Sequence, residues 1–146
     1  SFLFEADLSG ANLSKSDLTH SRLNDANLSG ADLHESKLKN ALLKRAKMQN
    51  ANLQGADLRD ADLVGANLSN ANLSGVVLGK ADLSKALLIG ADLSGVDLRL
   101  ARLSGADLSG VKTDEHTKLP RGIDLDSGSK IVRQCCLLGV RSTEGT

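Results

Sequence analysis

The stretch ADLRDADLVGANLSNANLSG, residues 56–75, places a leucine at every fifth position and an alanine two residues before each leucine. On an α-helix a five-residue step rotates the side chain by about 140°, which would scatter the leucines around the helix. On a flat strand the side-chain period is two, so the same step would send alternate leucines to opposite faces. The spacing therefore excludes a long amphipathic helix and a simple sheet.

Each five-residue unit instead combines a short extended piece with a turn. Ala56 and Leu58 are two residues apart and share one side of the chain, whereas Asp57 between them points the other way. The next two positions of the units carry turn-forming types, such as Ser74 and Gly75. A chain that turns a corner every five residues keeps every leucine inside.

The pattern continues over twenty-two units, from a central Leu3 to a central Leu108, and Met48 is the single residue that replaces a central leucine. The position two before the centre is alanine in sixteen units, serine in four and valine in two. The position between them is Asp or Asn in fourteen units, and nine glycines fall on the second turn position. Because one unit cannot bury its leucine alone, this repetition is typical of a solenoid, in which neighbouring coils stack.

Runs of the form A(D/N)LxG, such as residues 6–10 and 106–110, make residues 1–110 resemble the pentapeptide-repeat family, which is abundant in cyanobacteria. The resemblance implies an all-β solenoid: a right-handed quadrilateral (square) parallel β-helix with four pentapeptides per coil. Residues twenty apart would then stack. The array would make about five and a half coils and would be roughly 26 Å long at the usual strand spacing.

The twenty-residue register can be compared with the charges along the chain. It brings several opposite charges together and one pair of like charges, and exposed pairs of this kind contribute little stability. The expected stacked pairs are Asp17 with Lys37, Lys37 with Asp57, Asp25 with Arg45, Asp82 with Arg102, and Asp62 with Asp82.

We expect two parts in the chain: a β-helix over residues 1–110, and a C-terminal loop with a capping helix over residues 111–146. The repeat fails at Thr113, where a leucine is due. Segment 129–139, SKIVRQCCLLG, begins with a good N-cap residue and ends in glycine, which predicts a short helix. An open solenoid end exposes core and unpaired backbone, so we interpret this helix as a cap.

At the other end of the array, Phe2 and Phe4 occupy outward positions of the first unit. We expect them to fold over the open first coil.

The sequence offers no constellation that predicts catalysis, a metal site or a cofactor. Cys135 and Cys136 are adjacent, which matches neither a redox C-x-x-C motif nor a zinc pair, and we interpret them as buried thiols of open redox state. His20, His34 and His116 lie far apart in the sequence, and we interpret them as solvated. We therefore expect a protein that is not an enzyme and that has no cofactor.

Apolar residues at outward positions are the candidates for protein contact. Single exposed apolar residues are normal on protein surfaces. Leu87 and Ile89, however, flank the buried Leu88 in one extended piece, which makes them the main candidate spot. Leu42 and Val64 form a second candidate on another side of the rod, and Val77 and Leu100 are further apolar residues at outward positions.

The basic stretch KLKNALLKRAK, residues 37–47, is the one candidate for anion contact, through Lys39, Lys44 and Lys47. The square fold would spread these side chains over three sides of one coil. The alternative interpretation is a solvated belt of partly paired lysines.

We interpret the protein as a non-enzymatic interaction or scaffold module built on a rigid rod, with its precise role open. The alternative is a DNA mimic, because some proteins of the family resemble duplex DNA and so bind and protect DNA gyrase. That mimicry needs an acidic surface, since DNA carries about one negative charge per 1.7 Å of axis. The whole chain has 18 acidic and 18 basic residues, which disfavours it. An ice-binding solenoid is nearly excluded because Thr19 is the only threonine of the repeat.

Composition and pattern also set expectations for partners and location. We expect a protein partner, not nucleic acid, and no membrane insertion, and we favour a monomer. The protein is expected to be soluble, and cytoplasm, periplasm and thylakoid lumen all stay open as its compartment.

Overall fold

A computed structural model describes residues 2–123 and residue 125 of the chain. Single-residue parallel bridges join residues twenty apart, from Phe2 with Arg22 to Asp92 with Lys112. Each bridge residue lies in the middle of a short extended piece, and two turn residues follow it. The described residues contain no helix, and their β-structure consists of these isolated bridges. The predicted four-sided parallel β-helix is therefore confirmed.

We number the coils as residues 2–20, 21–40, 41–60, 61–80, 81–100 and 101–118, and we number the four sides in chain order. The bridge residues of side 1 are Phe2, Arg22, Leu42, Asp62, Asp82 and Arg102. Those of side 2 are Asp7, Asn27, Lys47, Asn67, Leu87 and Asp107. Those of side 3 are Asn12, Asp32, Asn52, Asn72, Asp92 and Lys112. Those of side 4 are Asp17, Lys37, Asp57, Val77, Asp97 and Lys118.

The charged pairs expected from the twenty-residue register are all found as neighbours. Four of the five pairs are bridge partners, including the like-charged Asp62 and Asp82. The fifth lies at the corner between sides 1 and 2, where Arg45 donates to both carboxylate oxygens of Asp25 at 2.8 and 2.7 Å. The register predicted from the sequence is thus confirmed.

The coils are held together by backbone hydrogen bonds that point along the rod. On side 1, the Leu63 N–H donates to the Asp82 carbonyl at 2.8 Å, and the Asp82 N–H donates back to the Ala61 carbonyl at 2.9 Å. The turn contributes a third bond, from the Gly65 N–H to the Ser84 carbonyl at 2.9 Å. The central leucines and the small residues before them fill the interior from coil 2 onward.

The turns depend on the side chain of the residue just before the central leucine of each unit. Wherever that residue is Asp or Asn, its Oδ1 accepts the backbone N–H two residues later, as from Ser74 to Asn72 at 3.0 Å. The second turn residue has a positive φ in every unit except those that end at Lys80 and Leu100. Glycine adopts this conformation without strain, and Asp and Asn tolerate it better than most other residues.

The last described side departs from the twenty-residue step. Asp97 pairs with Lys118, twenty-one residues later, and Asp114 accepts the Gly95 N–H through Oδ1 at 3.0 Å. Bridges thus continue beyond residue 110, and the division of the chain into residues 1–110 and 111–146 stays a prediction. The capping helix predicted over 129–139, with Cys135 and Cys136, lies outside the described residues.

The expectation that Phe2 and Phe4 cover the first coil is wrong. Phe2 is 77% exposed, and its ring lies over the guanidinium of Arg22 in coil 2, 4.9 Å from the carbon to the ring centre. A cation over an aromatic face is attracted by the ring quadrupole, which favours this contact. Leu3 and Leu8 of the first coil are accordingly only partly buried.

Two buried serines generate a stability prediction. The Ser21 and Ser36 hydroxyls replace the usual alanine inside the rod, and neither has a hydrogen-bond partner among the described residues. An unpaired buried hydroxyl is destabilising. We expect Ser21→Ala and Ser36→Ala each to raise the free energy of unfolding by about 1 kcal/mol in urea denaturation followed by circular dichroism.

Ser16→Ala is the matched control, because the Ser16 hydroxyl donates to the Leu13 carbonyl at 2.6 Å. This control should be neutral or destabilising. Equal gains from all three substitutions would contradict the assignment of the two unpaired hydroxyls.

Candidate functional site

Leu87 and Ile89 lie where the sequence predicted them, on the outside of coil 5. Their side chains are 38% and 41% exposed, and Leu88 between them is fully buried. Leu87 is on side 2 between Asn67 and Asp107. Two aliphatic side chains therefore stand next to each other on a side that is otherwise mostly polar.

Leu42 and Val64 lie on adjoining coils near the corner between sides 1 and 2. Leu42 is exposed on side 1 and Val64 is partly exposed. Lys44 lies beside them, and its ammonium is 3.7 Å from a carboxylate oxygen of Asp62. These apolar residues are thus bordered by an ion pair.

The three lysines predicted as a weak anion contact are not brought together. Lys39 is at the corner between sides 4 and 1, Lys44 at the corner between sides 1 and 2, and Lys47 on side 2. Lys44 pairs with Asp62, as described above. The pKa of Asp57 is lowered mainly by its hydrogen bond from Arg59, and that of Asp7 mainly by its hydrogen bond from Ser9. The positive charges of Lys39 and Lys47 add smaller contributions to these lowered pKa values. This spread agrees with the belt of partly paired lysines.

The titratable groups of the rod serve mostly in turns and ion pairs. His34 Nδ1 lies 3.0 Å from Asp32 Oδ1, and this hydrogen bond is the main cause of the lowered Asp32 pKa. Lys15 lies 3.8 Å from Glu35. Within residues 2–123 and 125, no three His, Cys, Asp or Glu side chains are grouped so that they could hold a metal ion. The same residues form no helix long and apolar enough to cross a membrane.

A groove between coils 4 and 5, at the corner of sides 4 and 1, is the feature that the sequence analysis missed. Val77 and Asp97 occupy matching positions on side 4 but are not bridged. The opening has a volume of about 300 Å³, and its lining includes Val77, Gly79 and Leu100. We call it the corner groove. The sequence gives two signs of it. Gly79 places a glycine at the first turn position of one unit, and the turn twenty residues later ends in the apolar Leu100.

Both turns at the corner groove depart from the regular geometry for a physical reason. Val77 has no side-chain oxygen to hold the N–H of Gly79, and Gly79 itself adopts φ +47°. Leucine disfavours the positive φ that the second turn position requires, and Leu100 does not adopt it. Because the two turns stack on each other, both deviations fall on the same place in the rod.

Asp97 borders the corner groove and is held by Arg99. The guanidinium donates to both carboxylate oxygens, from Nε at 2.9 Å and from Nη2 at 2.8 Å. These bonds, with that of the Arg99 backbone N–H, lower the pKa of Asp97 from 3.8 to about 2. The Asp97 carboxylate is therefore charged and already engaged at neutral pH.

The family is decided by a sequence profile described as Pentapeptide repeats (8 copies), which matches residues 3–40, 41–79 and 77–112. The chain belongs to the pentapeptide-repeat family. Membership in the pentapeptide-repeat family, together with the four-sided ladder, assigns a right-handed quadrilateral β-helix.

Solved structures of other pentapeptide-repeat proteins resemble this chain. Rfr23 from the cyanobacterium Cyanothece 51142 is 40% identical, over 72% of this chain and 65% of its own, with a TM-score of 0.44. HetL from Nostoc sp. strain PCC 7120, involved in heterocyst differentiation regulation, is 38% identical over 88% of this chain and 66% of its own, with a TM-score of 0.34.

A trypsin-treated form of QnrB1, a plasmid-mediated fluoroquinolone resistance protein, is 27% identical over 79% of this chain and 81% of its own, with a TM-score of 0.42. This chain spans slightly less than two thirds of the length of Rfr23 and of HetL. No curated protein sequence shows significant similarity to it.

The Asp97–Arg99 pair generates a titration prediction. In Arg99→Gln the guanidinium is lost and the backbone N–H bond stays, so the pKa of Asp97 should rise from about 2 toward 3.8. Because the pKa of Asp97 is lower in the folded than in the unfolded chain, its carboxylate stabilises the fold at pH values above the unfolded-state pKa. This contribution is lost as the pH falls through the folded-state pKa. Carboxyl ¹³C NMR between pH 1.5 and 6 measures both pKa values, and an unchanged pKa in Arg99→Gln would contradict the pairing.

Proposed function

We propose that the protein is a non-enzymatic scaffold that binds a partner protein through the aliphatic pair Leu87 and Ile89. The observation that carries this proposal is the exposure of two adjacent aliphatic side chains, 38% and 41%, on an otherwise polar part of the rod. Burying such side chains against a partner removes apolar area from water, which is favourable by roughly 25 cal/mol per Å².

The rod gives this pair a fixed position before binding. The Leu87 N–H donates to the Ala66 carbonyl at 2.9 Å, and the Leu87 carbonyl accepts from Leu68 at 2.7 Å. The turn after Ile89 is held by the bond from Gly90 N–H to Ser109 carbonyl at 2.8 Å. A surface that is ordered before binding loses little conformational entropy when a partner docks.

A protein partner suits the charge of the surface better than nucleic acid. Within the repeat region, residues 1–110, thirteen acidic residues face twelve basic ones, and the lysines near coil 3 lie on separate sides. Nucleic-acid affinity is dominated by phosphate contacts from clustered lysine and arginine, and this surface has no such concentration among its described residues. Leu42 and Val64 are proposed as a second, smaller protein contact.

A role without catalysis is supported by the use of the polar residues. Asp and Asn side chains hold turns, as Asn72 does for Ser74 at 3.0 Å, and arginines pair with neighbouring carboxylates. HetL takes part in the regulation of differentiation, and QnrB1 confers fluoroquinolone resistance. Both roles are compatible with a scaffold, and the near-neutral charge makes a DNA mimic the weaker alternative for this chain.

The double variant Leu87→Asp/Ile89→Asp tests the contact. We expect it to lose a stoichiometric partner that wild-type protein retains from a lysate of the source organism, with partners identified by mass spectrometry. Binding of the purified partner should weaken by about a hundredfold or more, because two aliphatic contacts are replaced by charges.

Asn67→Asp/Ser69→Asp is the matched control, since it adds the same charges at the same two positions one coil earlier. It should leave the partner bound. Equal loss in both variants, or retention in the Leu87→Asp/Ile89→Asp protein, would argue against the site. Recovery of gyrase as the partner would favour the DNA-mimic alternative.

A further inference from the structure

Three consecutive backbone N–H groups at the corner groove have no hydrogen-bond partner within the described chain: those of Leu78, Gly79 and Lys80. The unit just before them shows what is missing. There the Leu73 N–H donates to the Asp92 carbonyl at 2.9 Å, and the Gly75 N–H donates to the Ser94 carbonyl at 2.9 Å. Between these two, the Ser74 N–H donates to Asn72 Oδ1. The apolar residue at position 77 has no oxygen that could do the same for the N–H of Gly79.

The backbone conformation of this segment suits an anion. Gly79 has φ +47°, and neither of its neighbours has a positive φ. Successive N–H groups in a turn with alternating φ sign form a concavity that binds anions. The exposed Lys80 side chain lines the adjoining depression on side 1 together with Asp60, Asp62 and Asp82. Its ammonium forms no ion pair with any described residue.

The rest of the corner groove is apolar and open. Val77 is 48% exposed and Leu100 is 66% exposed. Gly75 and Gly95 also line the opening, and neither has a side chain to fill it. A volume of about 300 Å³ is at the lower limit of ligand pockets, which suits one aliphatic side chain with its backbone.

The groove also presents backbone acceptors. In the regular ladder the residue at position 97 would donate to the Val76 carbonyl and would accept from the N–H at position 78, and neither bond forms. The Asp97 carboxylate does not replace the missing acceptor, because Arg99 engages both of its oxygens. A ligand that satisfies this site therefore brings an anion, an aliphatic group and a neighbouring N–H donor.

We propose that the corner groove binds the C-terminal residue of a partner protein. The terminal carboxylate accepts from the N–H groups of residues 78–80 and pairs with Lys80. The aliphatic last side chain packs between Val77 and Leu100. The last peptide N–H donates to the Val76 carbonyl, which accepts no bond from the described residues. Backbone capture of a chain terminus is an established mode of peptide recognition.

The charges around the corner set a limit on this partner. A shallow depression adjoins the corner groove at Leu100, and its charged lining residues are three acids and two bases: Asp60, Asp62, Asp82, Lys80 and Arg102. The rim thus carries both signs, which favours a short terminal segment without a strong net charge. This site is on a different side of the rod from Leu87 and Ile89, and it stands whether or not that contact is correct.

The test is a titration of the ¹⁵N-labelled chain, residues 1–146, with the peptide acetyl-Gly-Ala-Ser-Val as the free acid. We expect saturable downfield shifts of the amide protons of residues 78–80. The same peptide with a C-terminal amide should bind at least about tenfold more weakly, because a charged acceptor is lost. 3-Methylbutanoate, which keeps the carboxylate and the aliphatic group but has no peptide N–H, should also bind about tenfold more weakly.

Two variants keep the assignment specific. Val77→Asn/Gly79→Ser/Lys80→Gly restores the regular unit sequence, so it should close the ladder and abolish the response while the fold is kept. Leu100→Ser should only weaken binding. The proposal would be overturned by equal shifts with the acid and the amide, by a response that survives in the triple variant, or by the lack of a saturable shift at residues 78–80. Equal binding of 3-methylbutanoate would also overturn it and would reassign the groove to a small aliphatic acid.

Discussion

The structure depends on the backbone hydrogen bonds that join each coil to the next, twenty residues along the chain. These bonds depend on a similar turn after every five residues. Where the turns ending at Lys80 and Leu100 are irregular, the bridge between Val77 and Asp97 is missing, whereas Asp82 and Arg102 on the next side stay bridged. The central leucine, the small residue before it and, in fourteen of the twenty-two units, the Asp or Asn oxygen at the turn all serve this requirement. At Ala61 to Gly65, for example, the leucine fills the interior, and three backbone groups of the unit bond to coil 5.

The periodic part of this arrangement is predictable from the sequence. Period five excludes the helix and the flat sheet, and the family resemblance adds the four sides, so the neighbours of residues such as Lys37 follow directly. The sequence does not reveal details that depend on competing contacts at a single place. Phe2 was expected over the open coil, but the nearby Arg22 guanidinium offers a more favourable contact. The segment 129–139 lies outside the described residues, so the cap stays a prediction.

The corner groove was missed for a related reason. Gly79 and Leu100 each look like a tolerable exception when the units are compared one at a time. Their effect comes from the twenty-residue register, which stacks one exceptional turn on the other, and from the absence of a turn oxygen at Val77. Outward positions Leu87 and Ile89 were predicted as exposed because that depends only on the period. What they bind does not follow from the pattern, since the pattern describes the interior.

Residue-resolved amide hydrogen exchange is the most direct measurement of the ladder. We expect slow exchange at the central leucine and the second turn residue of regular units, such as Leu63 and Gly65. Leu78 and Lys80 occupy the same two positions in the unit 76–80. Their amide protons should exchange faster than those of Leu63 and Gly65 by about a hundredfold or more. Uniform protection through residues 78–80, or protection without a five-residue period, would contradict the account.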